Sequence, residues 1–569
     1  MTTIQITTAS RRRLVLCLLA VVASGMLFRA VHLQLVQSDF LRSQGNDRHQ
    51  RLVEIPAHRG MIMDRHGEPL AVSSPIDSVW ADPVVVLDHR DRLPELARLL
   101  GEAPRTLEQR LVDRRARRFM YLRRHVNPDL AARISALDIP GVELQREFRR
   151  YYPTAEVTSH LLGFTNIDDR GQQGLERVFD GWLRGVPGQR RVVRDRYNRI
   201  VEEVESVQLP QPGKALHLSI DRRIQYLTYR ALKAAYLEHH ASAAAAVVLD
   251  VGTGEVLAMV SQPAANPNDP DQRDGGLLRN RTVTDTFEPG STFKPLTVAM
   301  ALESERYSPR TLIDTGPGWL RVGRHLVRDH HDYGVLDVAR VIVKSSNVGV
   351  SKIALDFPPE ELWRLLTRLG FGSVTELGLA GESNGYLSHH STWSDFEYIT
   401  HTFGYGVAVT PLQLARAYGI IAADGLSRPV TLTPVAGPSV PGIRVMSAET
   451  AQAVRYMMEA VVSSRRGTGA RAAVPGYRVA GKTGTVRKVV DGRYSPHQHM
   501  SLFAGMAPVE QPRLVMVVVV DDAKSGHYYG GQVAAPVFSR VMAGALRILN
   551  VPPDNLPAAV VVANTAPAL

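Results

Sequence analysis

One Ser-x-x-Lys tetrapeptide occurs in the chain, Ser291-Thr292-Phe293-Lys294. Gly290 before it ends a loop, and Pro295 after it is tolerated only in the first turn of a helix. Ser291 is therefore expected at a helix N-terminus. Residues three apart share a helix face, so Lys294 is expected to reach the Ser291 hydroxyl. A serine at its ordinary pKa is a poor nucleophile and needs a base. A lysine serves only if burial or a second cation lowers its pKa, so the tetrapeptide predicts another cation nearby.

A Ser-x-Asn follows 54 residues later, Ser345-Ser346-Asn347, between Lys344 and a small-residue helix beginning Val348-Gly349-Val350-Ser351. Ser345 suits a proton relay. Asn347 suits a hydrogen bond to a substrate amide or to Lys294. A Lys-Thr/Ser-Gly tripeptide occurs twice. Lys482-Thr483-Gly484-Thr485 precedes two apolar runs, Ser501 to Ala507 and Leu514 to Val520, and is expected on the first of three antiparallel strands. Lys524-Ser525-Gly526 falls past a strand end beside Tyr528, Tyr529, Gly530 and Gly531, where a cleft rim is expected. Lys482 is therefore chosen as the third element. Each short pattern is weak alone. Their order, the helix-start context of the first and the strand context of the third are jointly specific.

The elements that must carry these residues are legible in outline. Pro210-Gln211-Pro212-Gly213 reads as a linker. After it come a strand over Leu216 to Ile220, a helix capped by Asp221, and a hairpin, Val247 to Asp250 and Val256 to Val260, around Gly252-Thr253-Gly254. Leu514 to Val520 is expected to be buried on both faces. Upstream, residues 41–90 read as extended and turn-rich, 93–135 as helical, and Gly171 to Glu176 as a loop opening a helix. The stretch from 557 reads as a flexible tail.

At the N-terminus Arg11-Arg12-Arg13 precede an uncharged run, Leu14 to Phe28, and no acidic residue appears before Asp39. The run is short of the about 20 residues of a span, but Arg29 can snorkel and extend it. A membrane anchor is expected over residues 1–40, N-terminus cytoplasmic, with the remainder exported. A cleaved signal peptide is the rival reading, since Ala23-Ser24-Gly25 offers small residues.

The chain has 569 residues, enough for several domains, and a net charge of +11. Its single cysteine, Cys17, lies in the apolar run, which excludes an internal disulfide, a cysteine-rich zinc site and an iron–sulfur cluster. The basic charge suggests nucleic acid, but an exported chain meets no chromosome, and no nucleic-acid partner is expected. Residues 101–200 hold 20 Arg, no Lys and 13 acidic residues, so most of the surplus sits there. It reads as a solvated face with local ion pairs, or as a surface for an anionic lipid, glycan or protein. His497-Gln498-His499 has the spacing of a metal-binding pair but no local carboxylate or cysteine, and no metal or cofactor is expected. The pairs His239-His240, His330-His331 and His389-His390 are expected on the surface or in loops.

The three catalytic patterns together are those of penicillin-binding proteins and serine β-lactamases. Over residues 10–555 the chain resembles division-type class B penicillin-binding proteins, septal peptidoglycan D,D-transpeptidases. Arg59-Gly60, Asp64-Arg65, Gly67, Arg150, Tyr152-Pro153, His160, Gly163, Gly174 and Glu176 match that family's N-terminal pedestal motifs. A β-lactamase has no such pedestal, and residues 40–215 do not resemble a glycosyltransferase domain. Gly404-Tyr405-Gly406 with Thr410-Pro411-Leu412-Gln413-Leu414-Ala415 is a family signature that packs beside the site, and Val551-Pro552-Pro553-Asp554-Asn555 resembles the close of Gram-negative division enzymes.

The resemblance implies an α+β architecture: an anchor (1–40), an elongated α+β pedestal of the dimerisation type (41–213), and a transpeptidase domain (214–556) with an antiparallel sheet flanked by helices. It implies Ser291 as acylated nucleophile, Lys294 as base, Ser345 as proton shuttle, Asn347 on the peptide amide and Lys482 as second cation. Thr483, Gly484 and Thr485 would hold the substrate's terminal carboxylate, and backbone N–H groups of Ser291 and Thr485 would form the oxyanion hole. Tyr528 and Tyr529 would line an aromatic wall, where His499 replaces a tyrosine. The implied substrate is a stem peptide ending in D-Ala-D-Ala, the implied inhibitors are β-lactams, and the implied neighbours are a SEDS-family septal glycosyltransferase and other division proteins at the inner membrane. The rival functions are a non-catalytic division scaffold and a penicillin-sensing or penicillin-hydrolysing relative.

Overall fold

The computed structural model describes residues 8–36, 50–194, 200–273, 276–437, 441–464 and 467–555. The expected tail lies outside them.

Thr8–Val31 is an α-helix continued by a π turn, His32–Val36. With no charge between Arg13 and Arg29 it is apolar all round, and Arg12–Leu35, mean hydropathy 2.4, buries nothing within the protein. A helix of this kind has lipid as its natural solvent. The 15-residue run becomes long enough to span because helix continues through Arg29 at one end and starts before Arg11 at the other.

The chain divides into two compact units, the first of which includes this helix. The first comprises 1–58, 75–149 and 185–212. In it Asp77 to Ala81 pair antiparallel with the strand Met120–Val126, and helices Leu93–Leu100, Pro104–Asp113 and Pro128–Ser135 bury Leu96, Leu107, Leu111 and Ile134 against Val79, Met120 and Leu122. The helix expected throughout 93–135 is thus interrupted. Gly101 ends the first segment in the left-handed region (φ 73°), and Met120 to Leu122 alternate buried and partly exposed, with the period of a strand. Arg114, Arg115, Arg117 and Arg118 are exposed, and Arg118 pairs with Asp82 at 3.3 Å. A second sheet joins Gln50–Ile55, Gly188–Arg194 and Ile200–Gln208, all antiparallel.

The second unit comprises 59–74, 150–184 and 213–569. Its five-stranded antiparallel sheet runs Val256–Gln262, Ala243–Asp250, Leu514–Asp521, Arg493–Ala507, Ala480–Val490. The expected hairpin is its first two strands, and the expected doubly buried strand is its centre. Alternation decides the two faces. Met516, Val518 and Val520 pack with Ile224 and Leu232 of the helix Arg222–Glu238 and Phe538 of the helix Ala535–Ile548. Val515, Val517 and Val519 pack on the other side with Leu414 and Tyr418 of the helix Pro411–Ala422. Asp221 caps its helix as expected, accepting from the N–H of Arg223 (3.0 Å) and Ile224 (3.4 Å). The expected strand over Leu216 to Ile220 shortens to Leu216–His217, and Gly174–Val178 is the helix opened by the glycine loop.

Segments 59–74 and 150–184 are knit by buried charge. Arg59 donates to Glu176 Oε2 (2.6 Å from Nη2) and to Asp180 Oδ1 (2.7 Å), while Arg150 Nε donates to Glu176 Oε1 (2.6 Å). Arg59, Arg150 and Glu176 side chains are 1%, 1% and 0% exposed. Such a cluster holds only while every charge is matched, because a lone buried ion is strongly disfavoured. Glu176→Ala strands two guanidinium groups, and thermal or urea unfolding is expected to show a loss of about 3–5 kcal/mol. An unchanged midpoint would show that water already solvates the cluster.

Candidate active site

Ser291 lies in a 3₁₀ turn, Gly290–Phe293, that leads into the helix Lys294–Glu303 with Pro295 in its first turn. Gly290 has φ 53°, and a Cβ there would sit 2.4 Å from Val486 Cγ2. A Cβ on Gly484 would lie 2.9 Å from Leu502 Cδ1 and 3.1 Å from the Pro289 carbonyl. Two glycines thus let the strand Ala480–Val490 press directly on the turn that carries the serine.

Ser345 is the junction between the helices Val338–Lys344 and Asn347–Leu355. It ends the first in the left-handed region (φ 56°, ψ 38°), and Ser346 caps the second. That kink turns the Ser345 carbonyl and hydroxyl toward two lysines. Lys294 Nζ donates to the carbonyl (2.5 Å) and the hydroxyl (3.1 Å), and Lys482 Nζ donates to the same hydroxyl (3.0 Å) and to the Thr483 carbonyl (3.2 Å). Lys294 is 1% and Lys482 0% exposed. Burial pushes the Lys294 pKa well below the ordinary lysine value, the Lys482 charge pushes it further, and the Asp329 carboxylate opposes both. Burial alone brings Lys482 down to about 7. The second cation demanded by the tetrapeptide is therefore in place. The expected hydrogen bond from Lys294 to Ser291 is not formed among the described residues, since Ser345 occupies the ammonium.

Asn347 is beside this cluster but does not hold Lys294. Its side-chain amide donates to the Arg328 carbonyl (3.0 Å). Thr483 donates to the Thr468 hydroxyl (2.9 Å), and the Thr485 hydroxyl accepts from Gly530 N–H (3.0 Å). The Tyr528 and Tyr529 rings lie 4.6 Å apart, and the Tyr528 carbonyl accepts from Ser501 Oγ (2.7 Å). His499 stacks on Tyr528 at 4.2 Å, so its ring serves the wall. His497 is exposed, and among the described residues no three His, Cys, Asp or Glu side chains gather as metal ligands. Lys524 is exposed past the end of its strand, and its loop is pinned by His239, which bonds Ser525 Oγ (2.8 Å) and whose carbonyl accepts from Lys524 N–H (2.8 Å). His239, in the turn that ends the helix Arg222–Glu238, is consequently 7% exposed.

Sequence reasoning missed Asp329 and Thr468. Asp329 sits at the start of the helix Asn347–Leu355, accepting from Ser346 Oγ (2.5 Å), Asn347 N–H (2.5 Å) and Val348 N–H (3.1 Å). A carboxylate there satisfies helix-start donors and favours the helix dipole. No motif marks it, because its partners are 17 to 19 residues away. Asp329→Ala is expected to cost about 1–3 kcal/mol in chemical unfolding, by leaving those donors unpaired. A neutral change would mean that Ser346 alone caps the helix.

A helix-backed sheet, with a serine opening one helix and lysines converging from that helix and from the sheet's edge strand, is the arrangement of the penicillin-recognising serine enzymes. The chain belongs to the penicillin-binding proteins: the family's transpeptidase domain matches residues 244–543, and the penicillin-binding protein dimerisation domain matches 54–218. It is 45% identical over 95% of its length to peptidoglycan D,D-transpeptidase FtsI of Escherichia coli (strain K12), covering 92% of that protein. It is 40% identical over 95% of its length to the probable peptidoglycan D,D-transpeptidase PbpC of Pseudomonas aeruginosa, covering 96% of it. Among solved structures it matches the transpeptidase domain of Burkholderia pseudomallei penicillin-binding protein 3, with 46% identity, a TM-score of 0.55, and 60% of this chain and 98% of that one covered. It also matches penicillin-binding protein 3 of Mycobacterium tuberculosis complexed with aztreonam, with 28% identity, a TM-score of 0.69, and 88% and 98% covered.

Proposed function

We infer that this chain is a peptidoglycan D,D-transpeptidase of cell division that cross-links stem peptides through an acyl-enzyme and is a target of β-lactams. The observation that carries the reading is the convergence of buried Lys294, three residues after Ser291, and buried Lys482 on Ser345 Oγ.

In the proposed mechanism Ser291 Oγ attacks the carbonyl of the penultimate D-alanine, and neutral Lys294 takes its proton. The N–H groups of Ser291 and Thr485 receive the developing oxyanion. Ser345, bonded to both lysines, passes a proton to the departing D-alanine amine. Lys482 supplies the positive charge, and with the Thr483 and Thr485 hydroxyls it holds the terminal carboxylate. Gly484 keeps that strand close to Ser291, Asn347 bonds the peptide amide, and Tyr528 and Tyr529 flank the substrate. An amine from a neighbouring strand then displaces Ser291, forming the cross-link and freeing the enzyme. A β-lactam enters by the first half-reaction.

The apolar N-terminal helix fits a single-pass inner-membrane protein. The arginines before it support a cytoplasmic N-terminus and a periplasmic catalytic domain, with the pedestal between. The resemblance supports a septal glycosyltransferase of the SEDS family and other division proteins as partners.

A fluorescent penicillin is expected to label the protein covalently, and Ser291→Ala to abolish the label; a label that survives would overturn the reading. Lys294→Ala is expected to slow acylation by about a hundredfold to ten-thousandfold, as for loss of a general base. Acylation should rise with pH through an acid limb far below the ordinary lysine range, because only neutral Lys294 accepts a proton. Lys482→Ala removes the neighbouring cation, so that limb should move to higher pH in stopped-flow labelling.

A further inference from the structure

Trp319–Val322 and His325–Arg328 form a short antiparallel hairpin that turns at Gly323-Arg324. Residues directly opposite in such a pair point to the same side. The inner side carries Leu320, Val322, His325 and Val327. Val322 and Val327 are buried in the core of the second unit, and the His325 ring stacks on Phe396 at 4.3 Å. The outer side carries Trp319 opposite Arg328, and Arg321 opposite Leu326. All four are exposed, Trp319 to 45% and Leu326 to 38%. Arg324 is exposed in the turn. No acidic residue lies between Thr315 and Arg328, and among the described residues the side chains of Arg321, Arg324 and Arg328 make no ion pair or hydrogen bond.

The inner side anchors the hairpin. The outer side has no such use within the fold. Tryptophan and arginine are the side chains that most often carry binding energy. Guanidinium groups set close together with no acid among them repel one another until an anion joins them.

The patch adjoins the residue assigned to the donor peptide. Arg328 is followed directly by Asp329, which accepts from the Asn347 N–H (2.5 Å), and the Arg328 carbonyl accepts from the Asn347 side-chain amide (3.0 Å). A strand rises about 3.3 Å per residue, so the outer face extends over about 10 Å from beside Asn347. That is the length of about three extended peptide residues. The rest of a donor strand is acidic and sugar-borne, because a stem peptide carries carboxylates and hangs from a chain of amino sugars. The size of the face favours such a strand over a protein. Four side chains offer far less than the about 800 Å² per partner of a stable protein interface.

We propose that Trp319, Arg321 and Arg328 bind the donor strand of peptidoglycan upstream of the alanine under attack. The guanidinium groups pair with stem-peptide carboxylates, and the indole packs on a sugar ring. The proposal rests on the transpeptidase reading and adds to it a second point of hold on the same substrate. No bond is made or broken there.

The test gives the full-length protein in detergent two donors. One is a short neutral thioester ending in D-alanine. The other is soluble un-cross-linked peptidoglycan with intact stem peptides. The readout is the ratio of kcat/KM for the strand to that for the thioester, taken within each variant, so that a disturbance of the catalytic centre cancels. Arg321→Gln and Arg328→Gln should each lower the ratio about fivefold, the upper range for an exposed ion pair. Arg321→Lys keeps the charge and should lower it less. Trp319→Ala should lower it about tenfold, for loss of a stacked ring. Amidating the strand's carboxylates, or raising the salt, should bring the wild-type ratio down toward that of Arg321→Gln. A ratio unchanged in all three substitutions, or an Arg321→Gln loss that persists undiminished on amidated strands, would overturn the proposal. So would an unchanged ratio in variants that no longer bind an acidic division protein, which would give the face to that protein. A wild-type protein that reacts with neither donor and takes no penicillin label would instead overturn the transpeptidase reading.

Discussion

Two ammonium groups share one hydroxyl in the interior of this protein, and much of the second unit exists to hold them there. Lys294 and Lys482 are each stripped of water and each repelled by the other, so neither would choose the position alone. Ser345 makes it tolerable by offering a hydroxyl and, to Lys294, a carbonyl. It can do so only because it occupies the left-handed region between two helices. Both lysines respond by giving up affinity for protons. The same constraint that is unfavourable for folding is what turns a lysine into a base at neutral pH.

Elsewhere the protein treats buried charge differently. Arg59 and Arg150 lie as deep as the lysines, but Glu176 and Asp180 match them at distances of 2.6 to 2.7 Å. That cluster serves to knit distant segments. The lysine pair carries only positive charge, moderated by Asp329.

Local patterns were read well where one principle acted alone. The Asp221 cap, the hairpin around Gly252 to Gly254 and the doubly buried strand before Asp521 needed only spacing and side-chain type. The reading failed where a local signal had to compete. Leucines at helical spacing before Asp113 carried a helix on through Met120 to Val126, although Met120 and Leu122 are buried with the period of a strand. Asp329 had no motif to announce it, because an isolated carboxylate acquires meaning only from what folds against it.

The amino-acid sequence by itself determined the reactive groups and their order: a serine and a lysine one helical turn apart, a second serine with an asparagine, and a further lysine ahead of two apolar strands. It also pointed to another cation nearby, since burial or a neighbouring charge must lower a lysine's pKa before it acts as a base, and showed that the N-terminus is apolar enough to enter a membrane. Tertiary structure decided how Lys482 meets Lys294, through one shared hydroxyl. It decided that Lys294 rests on Ser345 rather than on Ser291, that Asn347 bonds backbone instead of Lys294, and that Asp329 acts on Lys294. The reason is physical. Helical period and side-chain type act over a few residues and can be read along the chain, whereas burial, which sets the charge state of every group here, is a property of surfaces that meet only after the chain has folded.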